Sequence, residues 1–563
     1  MTDTPDHAST SAEAFAGVSA RMASPARQRH LVGSPFPDVV ARALAPVARL
    51  QVAAWDRALG RLRHVQEQTL CALVDHAKQT EFGRAHDFAG VRTYDDFVDR
   101  VPVGNYDSVC GYIERMRKGE RNLLVPEFVR HFGNSSGSSN QGRSKFLPIT
   151  ERQVRFQQRA GADAVLRYVR WSGDNQIFRG FTLGLFPPTT MRGEGPVLIT
   201  SNPALMATRI PRVTRPAYLP EKDVATIANY DEKLGVIAER YLDHDVRAVA
   251  GTTCWFTLLF ERVLAAARAK GRPARSVSDV WPNLRVLFGG GVAAAPYVPI
   301  LRDLVGRAVT LVDTYNATEG GLYAASDFSG ADGMLMLPHR GTFFEFVPLD
   351  GRTPGTRANG HGRAGDPGVQ ARERIPLWRV EKDRLYSIVV TTASGLYAYE
   401  LGDIVRFASV DPPRIEFAGR LSGCLSLTQE LTTHVEIERA VEAAAAACLS
   451  TTVDFCAAAD VGADGTAKSR YLLFVEFQDG AAPAEAAAFV RSFDEELAKQ
   501  NRVYREHRAG DVALLSPKLV LLAPGAARRY LEEVTHGNVQ AKFPRIVNDT
   551  SKNLLWKHAV EGR

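Results

Sequence analysis

The densest run of chemistry-bearing residues is Asn134-Ser-Ser-Gly-Ser-Ser-Asn-Gln-Gly-Arg-Ser-Lys145, with two glycines, five hydroxyls and a terminal lysine in twelve residues. Gly137 and Gly142 permit tight backbone turns. The hydroxyls of Ser135, Ser136, Ser138 and Ser139, with nearby N–H groups, can cradle phosphate oxygens, and Lys145 supplies a positive charge. The G-x-x-x-x-G-K-[ST] spacing of a Walker loop is absent. The strand-like FLPIT follows at once, so the loop leads into ordered structure and does not read as a free linker. Gly289-Gly290-Gly291 ends the strand-like run 284–288, where the lack of side chains lets a flat ring approach the backbone. Gly402-Asp403 reads by itself as a turn.

The elements that position these residues follow from periodicity. Residues 1–30 are rich in Ala, Ser, Thr and Pro and read as a mobile tail. Apolar residues at three- and four-residue steps make 49–80 helical. After about residue 130, short β-branched or apolar runs alternate with helical stretches. Strands are expected at 177–186, 197–200, 284–288, 309–312, 343–348 and 385–391, and helices at 225–242, 256–269 and 297–304. That alternation predicts an α/β architecture with helix-covered sheets. From about 425 a second, α+β pattern begins. Helices are expected at 435–448, 483–500 and 526–535, and strands at 451–457, 471–477 and 518–522. The expected domains are 31–424, large, and 425–563, smaller and mobile.

Bulk properties narrow the class. The chain has 563 residues, 45% hydrophobic and 23% charged, with a net charge of +6, ordinary for a globular protein and too mild to argue for nucleic acid. The six cysteines form no C-x-x-C pair, and no His cluster has metal-ligand spacing, so a reducing compartment fits and the cytoplasm is expected. No signal peptide or run of about 18 apolar residues is visible.

The glycine/serine run resembles the phosphate loop of adenylate-forming enzymes. It is close to the S-S-G-T-[ST]-x-G-x-x-K pattern of the Gretchen-Hagen family of acyl acid amido synthetases. Ser138 stands for Thr, and one extra residue lies between Ser139 and Gly142. Other segments follow in the family's order: VWPNLRVLFGGG, DTYNATEGG, FFEFVPL, SGLYAYELGDIVRF, NRVYREHRAGD and NVQAKFPRIV. The resemblance implies an adenylate-forming ligase with ATP and Mg²⁺ as cofactors, and a small carboxylic acid and an amine as substrates. A thiol acceptor such as coenzyme A, or nucleotide binding without ligation, are the alternative readings. It also implies roles. Gly290 and Gly291 would wall the adenine and Tyr315 would stack on it. Thr318 would contact the α-phosphate, and Glu319 would hold Mg²⁺. Asp403 would accept from both ribose hydroxyls, and Arg420 would face phosphate or ribose.

The chain departs from the family at two further places. Glu400 replaces the arginine of Y-R-x-G-D. After the hinge, bacterial relatives carry Gly-Glu-Lys-Leu, whereas this chain reads Ser426-Leu-Thr-Gln-Glu-Leu-Thr432, with Leu431 in the region of the lysine. A cation there would stabilise charge developing at the phosphates. Lys542 is the expected substitute, with Arg545 behind it.

Overall fold

The computed structural model describes residues 31–560 except 34–35, 37, 136–144, 174, 292–293, 295–296, 350–373, 422–423, 426, 428–429, 431, 461–468, 481–485, 502–503, 506–507, 512–513, 536–542 and 548. The expected N-terminal tail lies outside these residues.

The helical stretch 49–80 is two helices, Asp38–Leu59 and Leu62–Ala77, broken at Gly60-Arg61. Glycine loses the most backbone freedom in a helix, so the break falls where continuation is least favourable. Asp56 of the first helix accepts from Arg167 and Arg170, both at 3.0 Å, on the helix Glu151–Ser172. Thr150 starts that helix by accepting from the Gln153 N–H, and Gly173, at φ 64°, ends it.

A twelve-stranded sheet organises the large part of the chain. One half is parallel: Tyr218–Leu219, Phe181–Leu185, Val246–Gly251, Val286–Gly290 and Thr310–Ala317 lie side by side in that order. These strands are apolar runs because helices cover both faces. Phe256, Phe260 and Trp281 pack on one face, and Ala248, Val286 and Val312 meet Tyr168 on the other. The other half is antiparallel and runs through Gly321–Ala325, Met334–Met336, Pro413–Arg420, Tyr399–Val410, Leu385–Thr392 and Thr342–Pro348 to Ile375–Pro376. Thr310–Ala317 is therefore the seam, parallel to one neighbour and antiparallel to the next. A separate four-stranded sheet has the order Lys145–Ile149, His131–Ser135, Val197–Thr200 and Arg192–Glu194.

The C-terminal part forms its own four-stranded sheet, ordered Lys518–Leu522, Arg470–Phe477, Thr452–Asp460 and Ile546–Val547. Helices His434–Ala447 and Ala486–Gln500 cover one face through Ile437, Val441, Phe489 and Phe493. Helices Ala526–Thr535 and Asp549–Trp556 cover the other through Tyr530 and Leu555. A short ribbon, Cys424–Leu425 with Thr432–Thr433, leads into it.

Some expectations shift. The helix expected at 225–242 is Tyr230–Arg240, because the Asn229 side chain accepts from the Glu232 N–H and caps it there. The run 177–186 opens with a 3₁₀ turn, Gln176–Arg179, before the strand Phe181–Leu185. The long hairpin Tyr399–Val410 with Pro413–Arg420 was legible only as turn motifs.

Candidate functional site

The seam strand brings distant motifs together. After Ala317 the chain reverses through Thr318-Glu319-Gly320 into Gly321–Ala325. This turn rests on the strand His131–Ser135: a Cβ placed on Gly133 would lie 2.8 Å from the Thr318 methyl. Only glycine permits that approach. Thr318 therefore packs on Gly133, two residues before Ser135 at the root of the glycine/serine loop. The Gln153 side-chain amide donates to the Gly320 carbonyl and pins the turn from behind.

Asp403 lies on the antiparallel side, opposite Arg420 in register. Its Oδ2 accepts from the Tyr315 hydroxyl at 2.6 Å. Tyr315 is 8% exposed and Asp403 5%. The Tyr315 ring lies 5.8 Å from that of Tyr323 and 6.1 Å from that of Phe417. Burial, reinforced by Asp403, holds the Tyr315 phenol far above its ordinary pKa. Burial with the Glu319 charge does the same at Tyr323 and Tyr399. All three phenols are thus neutral donors around the carboxylates of Glu319 and Asp403. The Tyr323 hydroxyl is buried and has no hydrogen-bond partner among the described residues.

Lys145 begins the strand across the loop, directly opposite Ser135. Its Nζ lies 5.8 Å from the Tyr106 ring centroid, and the Tyr106 hydroxyl accepts from the Phe146 N–H at 3.1 Å. Tyr106 comes from the helix Tyr106–Arg117, so that helix backs the loop's outgoing strand. Ser136, Gly137, Ser138 and Ser139 lie outside the described residues. Sequence reasoning missed Tyr106 and Tyr323; their signal is an aromatic next to an already recognised family segment, which spacing alone does not single out.

The glycine wall has a packing cause. A Cβ on Gly289 would lie 2.3 Å from Thr253 Oγ1, and one on Gly290 would lie 2.5 Å from Thr314 Oγ1. Gly291 has φ +76°. Asp313, paired in register with Gly289, has its carboxyl pushed up to about 6 by burial, against a hydrogen bond from the Thr314 N–H at 3.0 Å.

The small C-terminal sheet answers part of the question raised by the missing lysine. Glu430 is buried and accepts from the Leu427 N–H at 2.7 Å and the Tyr471 hydroxyl at 2.6 Å. Glu430 is thereby tied to the small sheet; Ser426, Thr428, Gln429 and Leu431 lie outside the described residues. Lys542 also lies outside them, next to Phe543, which is buried edge-on against Tyr530 at 5.4 Å. Arg545 is held within the small sheet. It pairs with Glu438 at 3.2 Å and with Asp454, and its guanidinium lies 4.2 Å from the Phe455 ring centroid. The expectation of Arg545 as a reserve cation behind Lys542 is corrected on this ground.

Among the described residues no group of three or more His, Cys, Asp and Glu converges on a point. Glu319, at the turn beside the loop's root, suits a hard cation whose remaining ligands are triphosphate oxygens.

Comparisons with known proteins converge on one family. The GH3 family N-terminal, central and C-terminal domains match residues 53–179, 334–420 and 435–551, together more than half of the chain. Jasmonoyl-L-amino acid synthetase GH3.5 of Oryza sativa subsp. japonica is 27% identical over 295 residues, which are 50% of this chain and 48% of that protein. Against this relative and the indole-3-acetic acid-amido synthetase GH3.8 of Oryza sativa subsp. indica, the chain spans about half the relative's length. Indole-3-acetic acid-amido synthetase GH3.4 of Arabidopsis thaliana is 22% identical over 571 residues, covering 86% of this chain and 89% of that protein. Among solved structures, AtGH3.15 acyl acid amido synthetase in complex with 2,4-DB superposes with TM-score 0.69 at 17% identity, over 91% of this chain and 96% of that one. A 2-hydroxyisobutyryl-CoA ligase in the postadenylation state gives TM-score 0.51 at 16% identity, over 89% and 91%. The fold is that of the adenylate-forming ligases, an α/β large part followed by a smaller α+β part.

Proposed function

The chain belongs to the GH3 family, and on that footing we propose that it is an ATP-dependent acyl acid amido synthetase. The observation that carries this reading is the Tyr315–Asp403 hydrogen bond of 2.6 Å. It joins two motifs 88 residues apart at the seam of the sheet, beside the turn that rests on the root of the phosphate loop.

In the first half-reaction an oxygen of the substrate carboxylate attacks the α-phosphorus of ATP. The bond from that phosphorus to the bridging oxygen breaks, and pyrophosphate leaves. In the second, an amine attacks the acyl carbon, the C–O bond to AMP breaks, and the amine gives up a proton to solvent. The protein contributes position and charge. Lys145 and the serines of the loop hold phosphate oxygens, with Thr318 at the α-phosphate. Asp403 reads the ribose, Arg420 faces phosphate or ribose, and Gly290 and Gly291 flank the base. Glu319, with the triphosphate oxygens, would hold Mg²⁺, which would neutralise charge on the departing pyrophosphate. Lys542 brings the small domain's cation to the phosphates, and the domain turns between the half-reactions.

The acid is proposed to be a small organic carboxylic acid and the amine an amino acid. The names of the relatives, jasmonoyl-amino acid and indole-3-acetic acid-amido synthetases, support this class. No described helix is long and apolar enough to cross a membrane. Cys71, Cys110, Cys448 and Cys456 are free thiols, which supports a cytoplasmic setting. Product mass tests the acceptor. With equal amino acid and coenzyme A present, the reading predicts an amide and AMP; a thioester would contradict it.

A further inference from the structure

The contact between Tyr315 and Asp403 assigns the tyrosine a task other than presenting its ring to the base. We propose that the Tyr315 hydroxyl is a positioning group for Asp403, fixing the carboxylate that reads the ribose and thereby setting the enzyme's selectivity for ribonucleotides. The inference rests on the proposed role of Asp403 and goes beyond it.

Three features carry it. The hydrogen bond is short, 2.6 Å, and joins a phenol to a carboxylate, the stronger charge-assisted kind. Both residues are buried, at 8% and 5% exposure, so the pair is held in place by its surroundings. The ring cannot easily leave, because Tyr323 and Phe417 pack against it at 5.8 and 6.1 Å between centroids. A carboxylate has about four acceptor sites, so a bond to Oδ2 takes one of them and orients the group. Burial and the adjacent Asp403 keep the phenol protonated across the working pH range, so it always donates.

The arrangement also explains why a tyrosine stands here and not another flat aromatic. Phenylalanine would provide the same ring face and the same packing. Only the hydroxyl reaches Asp403, which stands on a strand that does not pair with the seam strand.

Tyr315→Phe in the full chain isolates the hydroxyl. Calorimetric dissociation constants are measured with Mg²⁺ for ATP, 2′-deoxy-ATP and 3′-deoxy-ATP. ATP binding is expected to weaken by about 5- to 20-fold, toward the lower end of what a hydrogen bond to a charged group contributes. Binding of the two deoxy analogues should change less, so that the preference for ATP shrinks by a similar factor. An unchanged ATP constant, or an equal loss for all three nucleotides, overturns the proposal. Asp403→Ala, measured alongside, separates the two layers of the argument. If Asp403→Ala leaves the ribose preference intact, the ribose role of Asp403 fails. If Asp403→Ala abolishes the preference while Tyr315→Phe is silent, only the present inference fails. Should Tyr315→Phe not fold, the pair is read in the Asp403→Asn background, where no carboxylate charge is left uncompensated. There, adding Tyr315→Phe should change ATP affinity by less than about 2-fold, as expected for partners in one contact. A further several-fold loss in that background overturns the proposal.

Discussion

Gly133 is the tightest joint in the proposed site, and replacing it gives a quantitative test. In Gly133→Ala the new Cβ would lie 2.8 Å from the Thr318 methyl and 3.1 Å from Ile149 Cδ1. Carbon atoms in contact prefer about 3.5–4.0 Å, so the turn carrying Thr318 and Glu319 must retreat by about 0.7–1.2 Å. The Ile149 end is a flexible side chain and can yield. The Thr318 side is braced from behind by Gln153 on Gly320 and cannot yield freely. The backbone at Gly133 is not in the positive-φ region, so alanine introduces no backbone strain of its own. Overpacking of this size costs about 1–3 kcal/mol in stability. A displacement of about 1 Å in a catalytic group costs about 10²-fold in rate. The expected result is therefore a folded protein with a lowered melting temperature and about 10²-fold slower acid-dependent ATP–pyrophosphate exchange. The companion change is Thr318→Ser, which deletes the offending methyl and keeps the hydroxyl. Added to Gly133→Ala, it should recover most of the lost rate. The reasoning is refuted if Gly133→Ala exchanges at the wild-type rate, or if the rate falls and Thr318→Ser recovers none of it.

The remaining predictions address single roles. Lys145→Ala should lower pyrophosphate exchange by about 10²–10³-fold, the scale for one transition-state charge contact, with the melting temperature nearly unchanged; an unaltered rate would remove Lys145 from the site. Lys542→Ala should slow exchange, and Leu431→Lys should restore part of the rate in that background; normal kinetics in Lys542→Ala would show that the small domain's cation comes from elsewhere. Asp313 titrates near 6 in the fold against an ordinary 3.8, so the folded state binds its proton more tightly than the unfolded chain. Its contribution to stability is complete below about pH 4 and is lost as pH rises through 6, on the order of 3 kcal/mol. Asp313→Asn should erase that slope in urea unfolding series between pH 4 and 7, and a wild-type slope in the variant would contradict the assignment.

The parts of the fold legible from sequence were those where one physical cause acts alone. The strand Lys518–Leu522 and the helix Ala526–Thr535 have the expected bounds, because alternation and helical spacing are uninterrupted there. The helical region expected over 49–80 divides at Gly60, and the helix expected from 225 begins at Tyr230, because caps and breaks compete with periodicity. The antiparallel half of the large sheet was only partly legible, since its pairing links strands far apart in sequence, as Met334–Met336 with Pro413–Arg420. The site divides in the same way. Asp403 and Tyr315 could be named from the resemblance of their segments to the family's, but their hydrogen bond could not, because it joins two strands that do not pair with each other in the sheet. Tyr106 and Tyr323 carry no spacing signal; their roles arise from which helix backs the loop and which hairpin faces Glu319. Arg545 illustrates the converse. A cation in a plausible sequence position is held by Glu438 and Asp454, partners that only the folded sheet brings to it.

The central claim is that this chain makes an acyl-adenylate. The most direct measurement is trapping with hydroxylamine: the protein, ATP, Mg²⁺ and a panel of small aryl and alkyl carboxylic acids, with hydroxamate and nucleotide products quantified together. The account predicts acid-dependent hydroxamate accompanied by equimolar AMP and pyrophosphate, strongly reduced in Lys145→Ala. Release of ADP and phosphate in place of AMP, or ATP binding with no hydroxamate from any acid in the panel, would contradict it.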